Sequence, residues 1–296
     1  MTLSTIVSSK WPRDSSESAE PRAVTHHSRV LAVHPRENHL LTALPPFESA
    51  HWKLQLESVD MPLGYVLHEA GSTITHVHFP TSAIVSLMYV MKDGASADVA
   101  MIGNEGMVGI SHLLGDEAMP NRAVVQHAGR GLRLSAQSIK DEFDRSGSVR
   151  RLLLRYVQTL ITQMAQTAVC NRYHSLEQQL SRWLLCSLDR VGGSELVMTQ
   201  ELIAQVLGVR RESVTTTAFR MQKTGLIQYT RGRISVLDRT GLERSTCECY
   251  SVVRKEYERL LPGTGCVNDR DAPRLHSRDV SNSWHVSGNA VGRYHM

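Results

Sequence analysis

The stretch LGVRRESVTTTAF (residues 207–219) carries three charged side chains, Arg210, Arg211 and Glu212, and four hydroxyls, Ser213, Thr215, Thr216 and Thr217. Val214 and Ala218, four residues apart, keep an apolar stripe, so the pattern reads as one helix with its front loaded with hydrogen-bonding groups. In isolation, RRES is most simply a solvated face with a local Arg–Glu pair. The chemistry such a face offers is base reading. An Arg presents two parallel donors to O6 and N7 of guanine, a Glu accepts from N4 of cytosine, and hydroxyls reach bases or phosphates. Arg231 and Arg233 flank Gly232 further on, where they can neutralise phosphates. From Met198 to Arg239 there are seven Lys/Arg (210, 211, 220, 223, 231, 233, 239) against three acids (201, 212, 238), a local excess of positive charge.

Two other sets of residues can do chemistry. His76 and His78 alternate along a strand and share a face. A His-x-His on a jelly roll can hold a catalytic metal as in cupin-type enzymes, which is the alternative reading of function. No Glu follows within the next several residues, and an ordinary polar strand face is the simpler expectation. Cys247 and Cys249 form a Cys-x-Cys on a C-terminal helix. They can bind a metal or oxidise together, but four-ligand spacing is missing from the sequence, so no metal site is expected.

The elements that must position these groups can be read from periodicity and capping. Thr199 is a good N-cap for QELIAQVL, whose Leu202, Ile203, Val206 and Leu207 form one apolar face. Gly208 supplies the positive φ of a sharp turn between helices. A second helix runs from Arg210 to about Lys223 and ends at Gly225. LIQYTRGRISVL then alternates about Arg231-Gly232 as a two-residue hairpin. Helix, Gly turn, helix and hairpin make a winged helix-turn-helix. Upstream, Leu153, Val157, Leu160, Met164 and Thr167 follow 4-3-4 spacing, a coiled-coil-like seam expected to pair two copies. A second amphipathic helix, with Leu176, Leu180, Trp183, Leu184 and Leu188, runs to Gly192-Gly193. In HVHFPTSAIVSLMYVM, apolar residues fall on odd positions from Val77 to Met91, and ADVAMIG and NRAVVQHAGRGLRLS read as further strands punctuated by Gly. Many short strands with Gly turns suggest a jelly roll or barrel.

TQELIAQVLGVRRESVTTTAFRMQKTGLIQYTRGRISVLD resembles the DNA-binding half of the Crp/Fnr family of bacterial transcription regulators. The likeness spans roughly residues 40–260 and is densest in the winged helix. It implies an α+β fold: an N-terminal jelly-roll-like β-roll sensor, a long dimerisation helix and a C-terminal winged helix-turn-helix. It implies that Arg211 and Glu212 occupy base-reading positions and that Thr199 and Gln200 contact phosphates. With Arg210, Ser213, Thr215, Thr216, Arg231 and Arg233, these residues make the expected DNA face. Where the cyclic-AMP receptor has a third base-reading Arg, this chain has Thr216, which implies a different preferred sequence.

The resemblance also directs attention to an effector pocket. In cyclic-AMP-binding members a Gly-Glu-Leu-Gly turn holds the ribose and an Arg-Ser pair holds the phosphate. The corresponding positions here are Gly106, Met107, Gly109, Asn121 and Arg122. Met107 lacks the acceptor a ribose hydroxyl needs, so cyclic AMP is not an expected ligand. The Fnr branch carries an N-terminal Cys cluster for an iron–sulfur centre; no Cys precedes Cys170 here, so that cluster is not expected. No other cofactor is expected.

The organisation expected is a flexible arm at 1–35, the β-roll at 36–145, the dimerisation helix at 146–173, the winged helix-turn-helix at 174–262 and a flexible tail at 263–296. The chain has 296 residues, 41% hydrophobic and 21% charged, with a net charge of +4. Those values suit a globular protein with a mildly basic partner surface. The start lacks the pattern of a signal peptide and no apolar run suggests a membrane span. Five Cys in no disulfide framework fit a reducing cytoplasm. Expected partners are double-stranded DNA, a second copy and RNA polymerase, with no membrane.

Overall fold

The structure is a computed structural model that describes residues 34–92, 96–115 and 120–261. The expected tail lies outside the described residues, as does the expected arm apart from residues 34 and 35. The described chain is α+β, with a β-roll, a long central helix and a winged helix-turn-helix in sequence order.

Two short helices, α1 (His39–Thr42) and α2 (Pro46–Lys53), precede the strands. Asn38 caps α1 through its Oδ1, while its Nδ2 donates to the carbonyls of Pro80 at 2.8 Å and Gly106 at 2.9 Å. This buried side chain therefore ties the entry of the chain to the roll. The strands are β1 (Glu57–Met61), β2 (Val66–His68), β3 (His76–Pro80), β4 (Ile84–Val90), β5 (Ser96–Ile102), β6 (Arg122–His127) and β7 (Gly129–Ser135). They form two antiparallel sheets, β1-β7-β3 and β2-β6-β4-β5. Val77, Phe79, Val85 and Leu87 fill the core between them.

The apolar run from His76 onwards breaks into two strands in different sheets, parted at Thr81–Ala83. Alternation also fails in β4, where Ile84 through Met88 are all buried. Val85 and Leu87 face the roll, while Ile84, with Met101 of β5, joins the core of the C-terminal domain. Beyond a register shift between Leu87 and Met88, Tyr89, Val90 and Met91 are all exposed. A strand covered on both faces loses its period of two.

After α3 (Ala136–Arg145), helix α4 runs 27 residues from Gly147 to Tyr173. Ser146 caps it and His174, in extended conformation, ends it. Ser175 at once caps α5 (Leu176–Val191) with a capping box to Gln178. Strand β8 (Glu195–Val197), α6 (Gln200–Leu207), α7 (Arg211–Lys223), β9 (Ile227–Thr230), β10 (Arg233–Val236), α8 (Arg239–Ser245) and α9 (Glu248–Leu260) complete the order. Helix α9 turns back to lie along α4. No helix among the described residues is long and apolar enough to cross a membrane.

The seam read from α4 needs correction. Leu153 and Leu160 are buried in their own chain's core, alongside Val253 and Tyr257 of α9. Thr167 spends its hydroxyl on the Gln163 carbonyl and accepts from Arg182. Val157 and Met164 are partly exposed, while Leu154 and Ile161 are 46% and 53% exposed. The outer apolar row is thus 154-157-161-164-168, with Leu154, Ile161 and Ala168 exposed and Val157 and Met164 half-buried against the chain's own core. It is offset from the expected seam, with the alternating three and four spacing of heptad core positions. Because α4 is apolar on two faces, periodicity alone did not tell which row the chain's own core would claim.

A buried ion pair joins these layers. Arg190 of α5 donates through Nε to Glu105 Oε1 at 2.9 Å, and both residues are at most 4% exposed. The same guanidinium reaches the carbonyls of Cys186 and Met101 and Oε1 of Gln163 on α4. Tyr257 of α9 donates to that Gln163 oxygen at 3.3 Å. Glu105→Gln keeps the shape and leaves Arg190 buried without a counter-charge, so urea unfolding should show a loss of ~3–5 kcal/mol. A loss under ~1 kcal/mol would mean that water, not Glu105, compensates this cation.

Candidate nucleic-acid interface

Local sequence builds the helix pair. Thr199 accepts from the Leu202 amide at 3.2 Å and caps α6. Gly208 stops α6 at φ 63°, in the left-handed region that a residue with a Cβ rarely adopts. Arg210 is extended and serves as the N-cap position of α7, so the helix itself begins at Arg211. Val214, Thr217, Ala218 and Met221 of α7 are buried against the core shared with α5 and α6. Thr217 therefore leaves the polar face; its hydroxyl lies 3.4 Å from Arg220.

The remaining groups of α7 point outward. Arg211, Glu212, Ser213, Thr215 and Thr216 are all exposed, as is Arg210 before them. Thr215 donates to the Arg211 carbonyl at 3.0 Å or to Gln200 Oε1 at 2.7 Å, which couples the front of α7 to the start of α6. Thr216 donates to the Glu212 carbonyl at 2.9 Å. With their single protons so engaged, both hydroxyls are left as acceptors with an exposed methyl, suited to base amino groups or a thymine methyl. Gln200, which accepts through Oε1, still has two amide hydrogens to donate.

Three residues beyond the expected set share this face: Phe219 at 67% exposure, Arg220 and Lys223. Positions 212, 216, 219 and 223 fall on one outward row and 220 lies four past 216, so continuing the helical period past Thr216 could have found them.

The hairpin forms the wing, with Arg233 paired to Thr230 across the turn. Arg231 has φ 48° and Gly232 φ 78°. Both central residues thus take the left-handed conformation of a type I′ turn. An Arg is unusual there, and it puts a cation at the exposed tip. Arg233 lies 4.0 Å from Glu195 on β8, both well exposed, a pairing worth little in water. Tyr229 sits behind the wing and donates to the Met198 carbonyl at 3.2 Å. Burial raises its pKa, opposed by a Gln200 backbone hydrogen bond and by the nearby Arg211 charge. Arg239, counted in the basic excess, is bound to Asp189 and Glu243 and serves packing instead.

The five effector candidates are occupied within the fold. Met107 is fully buried in the roll's core, and its carbonyl accepts from Tyr156 of α4 at 2.8 Å. A Cβ at Gly106 would meet that Tyr156 ring 2.5 Å from its oxygen, so glycine permits the loop to press on α4. Gly109 precedes a short 3-10 helix. Asn121 is buried and 3.3 Å from His68, and Arg122 pairs with Glu69 at 3.0 Å.

His76 and His78 share a face of β3, as alternation requires. Burial lowers the His78 pKa to about 3, with His76, Arg133 and His68 adding to the effect. Among the described residues no third ligand joins them. Cys247 and Cys249 differ from expectation. Space supplies what spacing lacked, because Cys170 and His174 at the end of α4 bring their ligand atoms within 4.8 Å of both thiols.

Residues 178–245 match the family model of the Crp-like helix-turn-helix domain. No curated protein sequence matches the chain. Among solved structures, a protein from Eubacterium rectale described as a Crp/Fnr-family transcriptional regulator is 19% identical, with TM-score 0.56, covering 71% of this chain and 98% of its own. FixK2 from Bradyrhizobium japonicum is 13% identical, with TM-score 0.57 and coverage of 65% and 98%. The c-di-GMP-responsive regulator CLP of Xanthomonas campestris is 13% identical, with TM-score 0.52 and coverage of 64% and 97%.

The strained wing tip separates fold from binding. Asn tolerates the left-handed conformation better than Arg. Arg231→Asn should leave thermal stability unchanged or raise it by up to ~1 kcal/mol. It should weaken affinity for every DNA sequence and lower the salt dependence by about one ion per subunit. Unchanged DNA affinity at low salt would remove the wing from the interface.

Proposed function

We propose that this chain, of the Crp/Fnr type in its fold and in its helix-turn-helix domain, is a transcription regulator that binds an inverted-repeat operator as a homodimer. The observation that carries the reading is the outward face of α7, where Arg211, Glu212, Thr215 and Thr216 stand free of the core. Set in a major groove, Arg211 reads guanine and Glu212 accepts from cytosine. Thr199 and Gln200 at the start of α6, with Arg210, Ser213, Arg231 and Arg233, position the domain on phosphates. A twofold axis puts the two α7 helices in successive major grooves, with half-site centres about 34 Å apart. RNA polymerase is the natural further partner, and the cytoplasm the location.

The pairing surface in this reading is the outer row of α4, with Leu154, Ile161 and Ala168 exposed and Val157 and Met164 half-buried between them. It takes the place of the row through Leu153 and Leu160, which the chain's own core has claimed. Cyclic AMP is not the effector. The buried Met107 has no carboxylate for a ribose, and Arg122 is engaged by Glu69.

Selection of binding sites should separate the two kinds of contact. Arg211→Ala should cost ~1–3 kcal/mol on the preferred site and relax selection at one base pair per half-site. Cyclic AMP should change neither affinity. Uniform weakening with unchanged base preference would show that Arg211 does not read a base. Sedimentation tests the pairing surface. Leu154→Asp with Ile161→Asp should give folded monomers, while Leu160→Asp should unfold the chain by burying a charge. Dimers that persist in the double variant would place the interface elsewhere.

A further inference from the structure

The break between α4 and α5 lies against the start of α9, and the DNA reading makes no use of what gathers there. Cys170 is in the last turn of α4 and His174 is its C-cap. Cys247 is the N-cap of α9 and Cys249 lies in its first turn. The three cysteines are at most 4% exposed, and His174 is mostly covered. Cys170 Sγ is 3.6 Å from Cys247 Sγ, and Cys249 Sγ is 3.6 Å from His174 Nδ1. All four ligand atoms lie within 4.8 Å of one another.

We infer that Cys170, His174, Cys247 and Cys249 form a tetrahedral site for a single zinc ion, which staples the end of the central helix to the C-terminal helix. Zinc–sulfur bonds of ~2.3 Å set neighbouring thiolates ~3.8 Å apart, close to the spacing here. Such a compact set encloses one ion. Three thiolates and an imidazole are the donors zinc takes in closed structural sites, with no position left for a substrate. The helix provides two ligands because residues four apart share a face. The other two come from the Cys-x-Cys at the turn into α9.

The surroundings fit that role. His174 Nε2 lies 3.3 Å from Glu248 Oε2. Donation from Nε2 to this carboxylate leaves the Nδ1 lone pair directed at the three sulfurs, the usual outer partner of a metal-bound His. Arg182, held by Thr167 one turn before Cys170, supplies a positive charge beside a site whose three thiolates and divalent ion sum to one negative charge. A disulfide would use two of the thiols and leave the third, the His and its carboxylate without a part. Cys170 and Cys247 are 77 residues apart, so one ion closes a long loop across the break between α4 and α5 at His174-Ser175.

The inference rests on this cluster alone and stands apart from the DNA reading. The full chain, purified under reducing conditions and equilibrated with zinc, should retain one equivalent after dialysis. Cobalt in its place should give the visible bands of a tetrahedral ion and charge-transfer absorption scaling with three thiolates. Chelation should lower the melting temperature by about 5 °C or more. Cys247→Ser and Cys249→Ser should lose the ion, Glu248→Gln should hold it 10- to 100-fold more weakly, and Cys186→Ser and Cys266→Ser should keep it. The cobalt spectrum of the unaltered chain decides the matter should a variant fail to fold. No retained zinc, an octahedral cobalt spectrum, or a Cys170–Cys247 disulfide in the fresh protein would each overturn the site.

Discussion

Glu105 and Arg190 give up nearly all contact with water at the place where four parts of the chain converge. Glu105 belongs to the loop after β5, Arg190 to α5, Gln163 to α4 and Tyr257 to α9, and one guanidinium–carboxamide network joins them. Two charges are removed from water only where the geometry satisfies both, so the pair penalises any arrangement in which the roll and the C-terminal domain part. Glu105 also accepts from the Gly103 amide at 3.1 Å, which sets the turn out of β5. That turn leads into the segment pressed on Tyr156, so the roll is coupled to α4 through the same few residues.

Division of labour on α4 follows from this anchoring. One side of the helix is consumed by the chain itself, through Leu153, Tyr156, Leu160 and Gln163. The neighbouring side, about 100° round the helix, keeps Leu154 and Ile161 exposed.

The outward face of α7 shows how little freedom its sequence has. Val214, Thr217, Ala218 and Met221 must be inward for α7 to rest on α5 and α6, which fixes the rotation of the helix about its own axis. Rotation then decides that Arg211, Glu212, Thr215 and Thr216 are outward. The hydroxyl contact from Thr215 to Gln200 adds a polar link between the helices on the solvent side.

Much of this was legible in the residues because the forces were local. A Thr cap three residues before an amide, a Gly in the left-handed region and a two-residue hairpin each act within a few positions, so the helix-turn-helix and its wing read directly from the chain. Tertiary structure alone decided three things. It chose which apolar row of α4 is buried, since periodicity says which residues share a face and not what that face meets. It split the His76–Met91 run between two sheets at Thr81–Ala83, and it covered both sides of β4, which erases the alternation that marks a strand. And it brought Cys170 and His174 to Cys247 and Cys249, a meeting that depends on α9 folding back along α4 and that no spacing within the sequence encodes.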